Sequence, residues 1–482
     1  MKQIGTKKAD SFIWFFTALC IFIVSVSSYF GLTNPYLWYD EAGQFWISMG
    51  LNHYSAPFSP HGSLSDVLTS NISFNRDPGG FSVLLYLWML ISSNTVFIRI
   101  LPLLFFIGGC FFLSRIAYKE TNNNVFSLFV LVLPFLLPYV ANKSTELRAY
   151  GMEVFGIAAS VYLLMNVKNR TSLWNVLLLS IMLSFTCTSR YASIIAAFAI
   201  SLRVLFLLVK ENGIKRAIPF IVLYSIPLLV TVCLIYYGQM SYQNSGASKI
   251  PYAQYILSSP IVLLRPLSLS YYLLIALFFM EKRKNKQISE IATCALYVGT
   301  VFFLFSMADK FPWNEIRTMP ATLLIWIAIV IEGYKLFFNK ARQLRIYLTA
   351  VLFVLSMFWI ILYGRLHRGD RIDSEMHEIA QVIEQENYTK LFVSLELNPS
   401  VRHFLEYGEG RELHNSKYYP NRFYLQTGPE HIISNENKGY SIVSPLEIPA
   451  DFYFMNPSEL TGPMTRHFIL YNNYNCVYQR IE

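Results

Sequence analysis

The chain has 482 residues, 54% of them hydrophobic and 14% charged, and a formal net charge of +9. Soluble domains carry roughly 25% charge, so a wholly soluble protein is excluded. The basic excess does not mark a nucleic-acid binder either: residues 1–363 hold 28 Lys and Arg against 14 Asp and Glu, whereas residues 364–482 hold 11 against 16. In the first part the basic residues stand in short clusters between apolar runs, which is the positive-inside pattern of a multi-pass membrane protein.

Lys2, Lys7 and Lys8 place the amino terminus in the cytoplasm, and Phe12–Gly31 reads as a retained first span. A polar outer loop over 32–95 follows. Further spans are predicted near 96–117, 124–141, 151–167, 172–188, 192–209, 217–238, 263–280, 288–308, 319–338 and 346–363. Each is close to the roughly 20 residues that a helix needs to cross a bilayer. Each predicted inner loop is basic, as at Arg115 and Lys119, at Lys168 and Arg170, at Lys210, Lys215 and Arg216, and at Lys340, Arg342 and Arg345. About eleven spans then leave residues 364–482 outside.

In that last segment Ser374–Glu386 and Pro399–Tyr407 have helical spacing, while Lys390–Leu395, Tyr440–Val443 and His467–Tyr471 read as strands. The expected architecture is therefore an all-α polytopic membrane domain over 1–363 and a small α/β extracytoplasmic domain over 364–482. Five of the six cysteines fall in apolar runs and only Cys476 lies in the last segment, so no zinc pattern and no disulfide within that segment are expected.

Acidic residues of the membrane part are few. Asp10, Glu120, Glu211, Glu281, Glu290 and Glu332 fall on the cytoplasmic side and read as solvated loop ends. Asp40, Glu41, Asp66, Asp77, Glu146, Glu153, Asp309 and Glu315 fall on or near the outer side. Asp40 and Glu41 sit between aromatics in Leu37-Trp-Tyr-Asp-Glu-Ala42. Two carboxylates at membrane depth are costly to hold ionised, which favours function; an aromatic belt with exposed acids is the bland alternative.

Arg76-Asp77-Pro78-Gly79-Gly80 precedes Phe81–Ile91, an apolar run too short to span, which reads as a helix lying on the outer surface. Glu146-Leu-Arg148 lies in the second outer loop, as a substrate contact or a local ion pair. Arg190 interrupts the apolar stretch between spans five and six, and Arg317 lies just ahead of span ten, to hold an anion or to snorkel. Outer-face carboxylates and arginines suit transfer from a lipid phosphate: a carboxylate takes the proton of an attacking hydroxyl, and cations stabilise the departing phosphate. No Walker loop or dinucleotide glycine pattern is present.

These residues resemble, in order and spacing, the GT-C glycosyltransferases, the group that contains protein O-mannosyltransferases and lipid A aminoarabinose transferases. The resemblance runs from about residue 12 to 340. Tyr39-Asp40-Glu41-Ala42 resembles the acidic pair of the first outer loop, and Asp77-Pro78-Gly79-Gly80-Phe81 through Trp88 resembles the Pro-Pro motif with its juxtamembrane helix. Arg99-Ile-Leu-Pro102 resembles the stretch that follows. Glu146-Leu-Arg-Ala-Tyr150 resembles the second acidic loop, and Arg317-Thr-Met-Pro320 the arginine motif before a late span. Gly79 in place of a second Pro, Asp77 in place of His or Lys, and Thr318 in place of Tyr depart from the pattern, mainly on the acceptor side.

The resemblance implies an inverting transferase of the bacterial inner membrane. Its donor would be a polyprenyl-phosphate sugar and its acceptor an envelope glycan, lipid or protein. Asp40 and Glu41 would be catalytic, with Asp40 the base, and Arg76, Asp77, Glu146, Arg148, Arg190 and Arg317 would bind substrate. Some relatives bind a divalent metal at the acidic loop; Asp40, Asp77 or His61 could ligate one, but no metal site is assigned. Two other readings remain: a flippase or transporter for a lipid-linked glycan, and an O-antigen polymerase or ligase. A transporter would hold ionisable residues at mid-membrane, whereas here mid-span positions are almost clean; Arg203 is the main exception and lies near enough to the inner end to snorkel.

Overall fold

A computed structural model describes the chain, except residues 1, 52–58, 76, 137, 170–171, 243–265, 284–287, 308–316, 338–370, 386–389, 396, 409–422, 429–430, 434–439, 443–448, 456–466, 472–475 and 481–482. The chain divides into two compact units. One comprises Met1–Tyr29, Asp77–Phe81 and Pro102–Tyr363; the other comprises Phe30–Arg76, Ser82–Leu101 and Gly364–Glu482. Most of residues 32–95 thus falls in one compact unit with the carboxyl-terminal segment, and Asp77–Phe81 falls in the other.

The first unit is helical. Its elements include most of α1 (Lys2–Thr33) and α5 (Thr95–Thr121), with α6 (Asn124–Leu136) and α7 (Pro138–Ala141) following. Then come α8 (Tyr150–Asn169), α9 (Leu173–Cys187), α10 (Tyr191–Ile235), α11 (Pro266–Arg283), α12 (Glu290–Met307) and α13 (Met319–Phe337). Among the described residues five helical runs are long and apolar enough to cross a membrane: Ile13–Thr33, Thr95–Thr121, Tyr150–Lys168, Tyr191–Met240 and Met319–Leu336. The other apolar helices are shorter, and the expected span at 346–363 lies outside the described residues.

The run through α10 is two helices. Gly213 breaks it with φ 70° and ψ 159°, a left-handed φ that glycine adopts without strain. Ser201 and Tyr224, on either side of the break, share a 2.7 Å hydroxyl hydrogen bond. A straight helix would separate them by about 34 Å at 1.5 Å per residue, so the chain folds back as a hairpin. Glycine also governs the packing of α8. A Cβ at Gly151 would run into the Pro102 carbonyl oxygen, and one at Gly156 into the Thr186 side chain. Small residues are what allow such close helix approach in lipid.

The start of α12 corrects one expectation. Glu290 and Glu332 are buried, not solvated loop ends. Arg203 grips Glu290 with two bonds of 2.6 and 3.0 Å, Lys168 adds one of 2.9 Å, and Lys335 pairs with Glu332 at 3.0 Å. The amides of Ser289 and Glu290, at the start of α12, donate to Glu332 and Glu120. These carboxylates satisfy the orphan donors of a helix N-terminus and complement its dipole.

The second unit contains α2 (Tyr39–Ser48), α3 (Leu64–Phe74) and most of α4 (Gly80–Met89) from the outer loop. Ser63 caps α3, and its hydroxyl and amide hold the Asp66 carboxyl below the usual carboxylate range. A buried polar set ties the three helices: Gln44 donates to Ser82 at 2.8 Å and Ser82 donates to Asn71 at 2.7 Å.

The carboxyl-terminal part adds α14 (Arg371–Gln385), α15 (Asn398–Glu406) and a seven-stranded sheet in the order β4-β3-β2-β1-β5-β7-β6. Its strands are β1 (Leu391–Val393), β2 (Phe423–Gly428), β3 (His431–Ile433), β4 (Tyr440–Ile442), β5 (Phe452–Phe454), β6 (Phe468–Leu470) and β7 (Val477–Arg480). The central β1 is parallel to both β2 and β5, and the flanking pairs are antiparallel. Strand β1 is buried at all three positions, as expected of a strand covered on both faces. Met376, Ile379 and Ile383 of α14 and Val401 and Leu405 of α15 pack with Leu391 and Val393 of β1 in one core.

Candidate functional site

In the helical unit the substrate-side residues read from the sequence converge. Asp77, just ahead of α4, lies between two arginines. Arg148 Nη2 is 3.4 Å and Arg190 Nε 3.8 Å from its Oδ2 atom. Both contacts are longer than the 2.7–2.9 Å usual for a charge-assisted bond. Arg190 is fixed from behind: its Nη1 donates to Glu153 at 2.8 Å, and its guanidinium lies 4.4 Å from the centre of the Tyr150 ring. Ser193 donates to the other Glu153 oxygen at 2.8 Å. Lys143 pairs with Glu146, and its Nζ lies 5.0 Å from the centre of the same Tyr150 ring.

Local sequence explains these positions. Arg190 is the residue ahead of α10 and Arg148 stands two residues ahead of α8, so both charges sit where apolar helices begin. Gly80 donates its amide to the Thr188 carbonyl at 3.1 Å, and a Cβ there would collide with Thr188. That approach fixes Asp77 beside the α9–α10 turn. Side-chain exposure grades outward: Glu153 0%, Arg190 7%, Asp77 18% and Arg148 19%. The deep members hold the arrangement and the outer two meet solvent. This group lies at the start of α8, and the Lys168–Glu290 pair lies in its last turn. Twenty helical residues span about 30 Å at 1.5 Å per residue, close to the thickness of a bilayer core.

In the other unit Asp40 and Glu41 occupy the first turn of α2, where the helix dipole favours acids. Asp40 is half-buried and Glu41 buried. Arg99 Nη2 donates to Glu41 at 2.8 Å, and the same guanidinium donates to the carbonyls of Gly31, Asn34 and Tyr36 at 2.9, 2.5 and 2.8 Å. One side chain thereby fixes the connection from α1 into α2. Arg317 is exposed two residues ahead of α13, and Arg76 lies outside the described residues. Among the described residues no three His, Cys, Asp or Glu side chains gather as a metal site.

Glu153, Ser193 and Tyr150 were not assigned a role from the sequence. The available signal was Glu153 itself, an acid inside an otherwise apolar helix, which must find a partner. His403 had no signal at all. It is fully buried on α15, edge-on to Phe45 at 4.7 Å, and neither ring nitrogen has a hydrogen-bond partner among the described residues. Burial, with the Arg99 charge as a lesser cause, pushes its pKa down to about 3 from 6.5. Its unfolded form therefore binds a proton that the folded form rejects. Stability is unaffected above pH 6.5 and falls as the pH drops from there towards 3, by up to about 1.4 kcal/mol per pH unit. Melting of the full-length protein between pH 7 and 4.5 should fall further in wild type than in His403→Phe; equal slopes would exclude this group as the cause.

No family model matches the chain and no curated protein matches it. Among solved structures it is similar to the crystal structure of the Archaeoglobus fulgidus oligosaccharyltransferase tethered with an acceptor peptide containing the NVT sequon via a disulfide bond. The two are 9% identical with a TM-score of 0.43, over 81% of this chain and 63% of that one. The chain thus spans less than two thirds of that enzyme's length.

Proposed function

We propose that this protein is a membrane glycosyltransferase that moves a sugar from a polyprenyl-phosphate donor to an acceptor of the bacterial cell envelope, on the outer face of the inner membrane. The observation that carries this reading is the Arg148–Asp77–Arg190 group, held by Glu153 at the start of apolar helices. Two guanidinium groups on long contacts to one half-buried carboxylate suit a phosphate that arrives through the bilayer.

In the proposed reaction the acceptor hydroxyl gives its proton to the Asp40 carboxylate. The hydroxyl oxygen attacks the anomeric carbon from the face opposite the phosphate, which inverts the centre. The sugar–oxygen bond breaks, its electron pair stays on the phosphate, and Arg148 and Arg190 stabilise that charge. Glu41 is assigned the task of holding the first turn of α2 through Arg99. Arg317 and Arg76 are assigned to the donor's anionic end, Asp77 to orienting the two arginines, and Glu146 to holding Lys143.

The test is to incubate purified protein with a panel of polyprenyl-phosphate sugars and envelope acceptors and to measure released polyprenyl phosphate, with and without a chelator. Release from one donor that is lost in Asp40→Asn is the expected result. Full release by Asp40→Asn removes Asp40 as the base. No release from any donor would turn the assignment towards a flippase or a polymerase. Loss of release on chelation alone would add a divalent ion to the site.

A further inference from the structure

The carboxyl-terminal α/β part has no role in the reaction just described, yet α15 is packed on α2, the helix that carries Asp40. The Trp46 indole N–H donates to the Pro399 carbonyl at 3.0 Å. The Arg402 guanidinium lies 4.4 Å from the centre of the Trp46 ring and its Nε donates to Glu406 at 3.2 Å. Phe45 meets His403 at 4.7 Å, and Tyr407 lies 5.1 Å from Phe45 and 5.7 Å from Trp46. Arg402, His403 and Trp46 are all buried.

This contact is too polar for ordinary packing. A buried ion pair is at best a weak source of stability, and an imidazole whose nitrogens have no partner among the described residues costs stability. Natural proteins break packing rules of this kind chiefly at functional sites. What the contact supplies is direction. A ten-residue helix has little stability by itself, so its rotation is set by what it packs against. An indole N–H has one hydrogen-bond direction and a guanidinium stacks in one plane, so together they fix that rotation better than apolar side chains would. Asp40 lies six residues before Trp46 on the same helix, and turning the helix would move its carboxylate.

We propose that α15 is part of the catalytic apparatus, with Arg402 and Trp46 as positioning residues that set the orientation of Asp40. The proposal rests on Asp40 being the general base. It makes the carboxyl-terminal part necessary for the chemical step, beyond any part in choosing the acceptor.

The experiment uses full-length protein in lipid nanodiscs and the polyprenyl-phosphate sugar that is active in the panel above. Trp46→Phe keeps an aromatic ring and loses the N–H; Arg402→Lys keeps the charge and loses the planar stack. Melting and the folded fraction are measured for each, with kcat, KM for donor, and the pH dependence of kcat.

Per folded molecule, kcat should fall roughly 10- to 100-fold, as displacements of about 1 Å do, with donor KM within about twofold of wild type and the acidic limb of the pH profile, which reports the general base, moved. Wild-type kcat per folded molecule in both variants overturns the proposal, even if the yield of folded protein drops. If Arg402→Lys does not fold, Trp46→Phe decides alone. Asp40→Asn, run alongside, separates the two ideas. Its loss of activity with unchanged kcat in the positioning variants removes only the role of α15, whereas its full activity removes the base and the positioning role with it.

Discussion

Arg190→Ala should destabilise the helical unit by about 3–5 kcal/mol, the usual result of stranding one charge of a buried pair, and should lower donor turnover by at least about a hundredfold. The Glu153 carboxylate is fully buried, and the 2.8 Å bond from Arg190 is its charged contact. Without the guanidinium it keeps the Ser193 hydroxyl, too little to hold an anion among apolar helices. The double variant Arg190→Ala/Glu153→Gln removes both charges and should recover most of the melting temperature. It should not recover turnover, because the cation assigned to the leaving phosphate is still absent. Recovery of both would make the pair purely structural. Wild-type melting in the single variant would contradict the burial described for Glu153.

Arg99→Ala should loosen the entry to α2. Four acceptors lose a partner together: the carbonyls of Gly31, Asn34 and Tyr36 and the Glu41 carboxylate. A hydrogen bond from a charged donor contributes about 1.5–3 kcal/mol. Relaxation and water entry recover part of that, so a net loss of about 3–5 kcal/mol is expected. The loss should be local, appearing as faster amide hydrogen exchange across residues 31–48 while α8 keeps its protection. Arg99→Lys should restore only part, because an ammonium lacks the two-sided fork that reaches both the carbonyls and the carboxylate. Unchanged exchange in Arg99→Ala would show that this guanidinium does not fix the segment.

Some of this was legible in the residues. The apolar runs, the helix start near Tyr150, and the composition of the carboxyl-terminal segment follow local rules that one sequence carries, whereas the helix that begins at Tyr39 lies in what reads only as a polar loop. Asp77, Arg148 and Arg190 were each marked as charges at the ends of apolar runs, where burial demands a reason. Their convergence was not legible, since it depends on Gly80 meeting Thr188 and on α8 closing against α5 through Gly151. Two other acids were misread for a related reason. Glu290 and Glu332 stand beside basic loop residues and look solvated, but α12 turns its N-terminal amides onto neighbouring carboxylates and buries them. Arg203, odd in mid-run, is explained by Glu290, 87 residues away.

What the sequence determined by itself is the solvent in which each part folds. Hydrocarbon admits only structures whose backbone bonds are satisfied internally; long apolar helices meet that requirement segment by segment, so it is local and additive along this chain. What only the tertiary structure decided is which charge meets which: Glu41 with Arg99, Glu153 with Arg190, and Trp46 with a carbonyl 353 residues away. A buried charge announces that it needs a partner. Which partner it finds depends on how the helices pack, and that is a property of the whole chain.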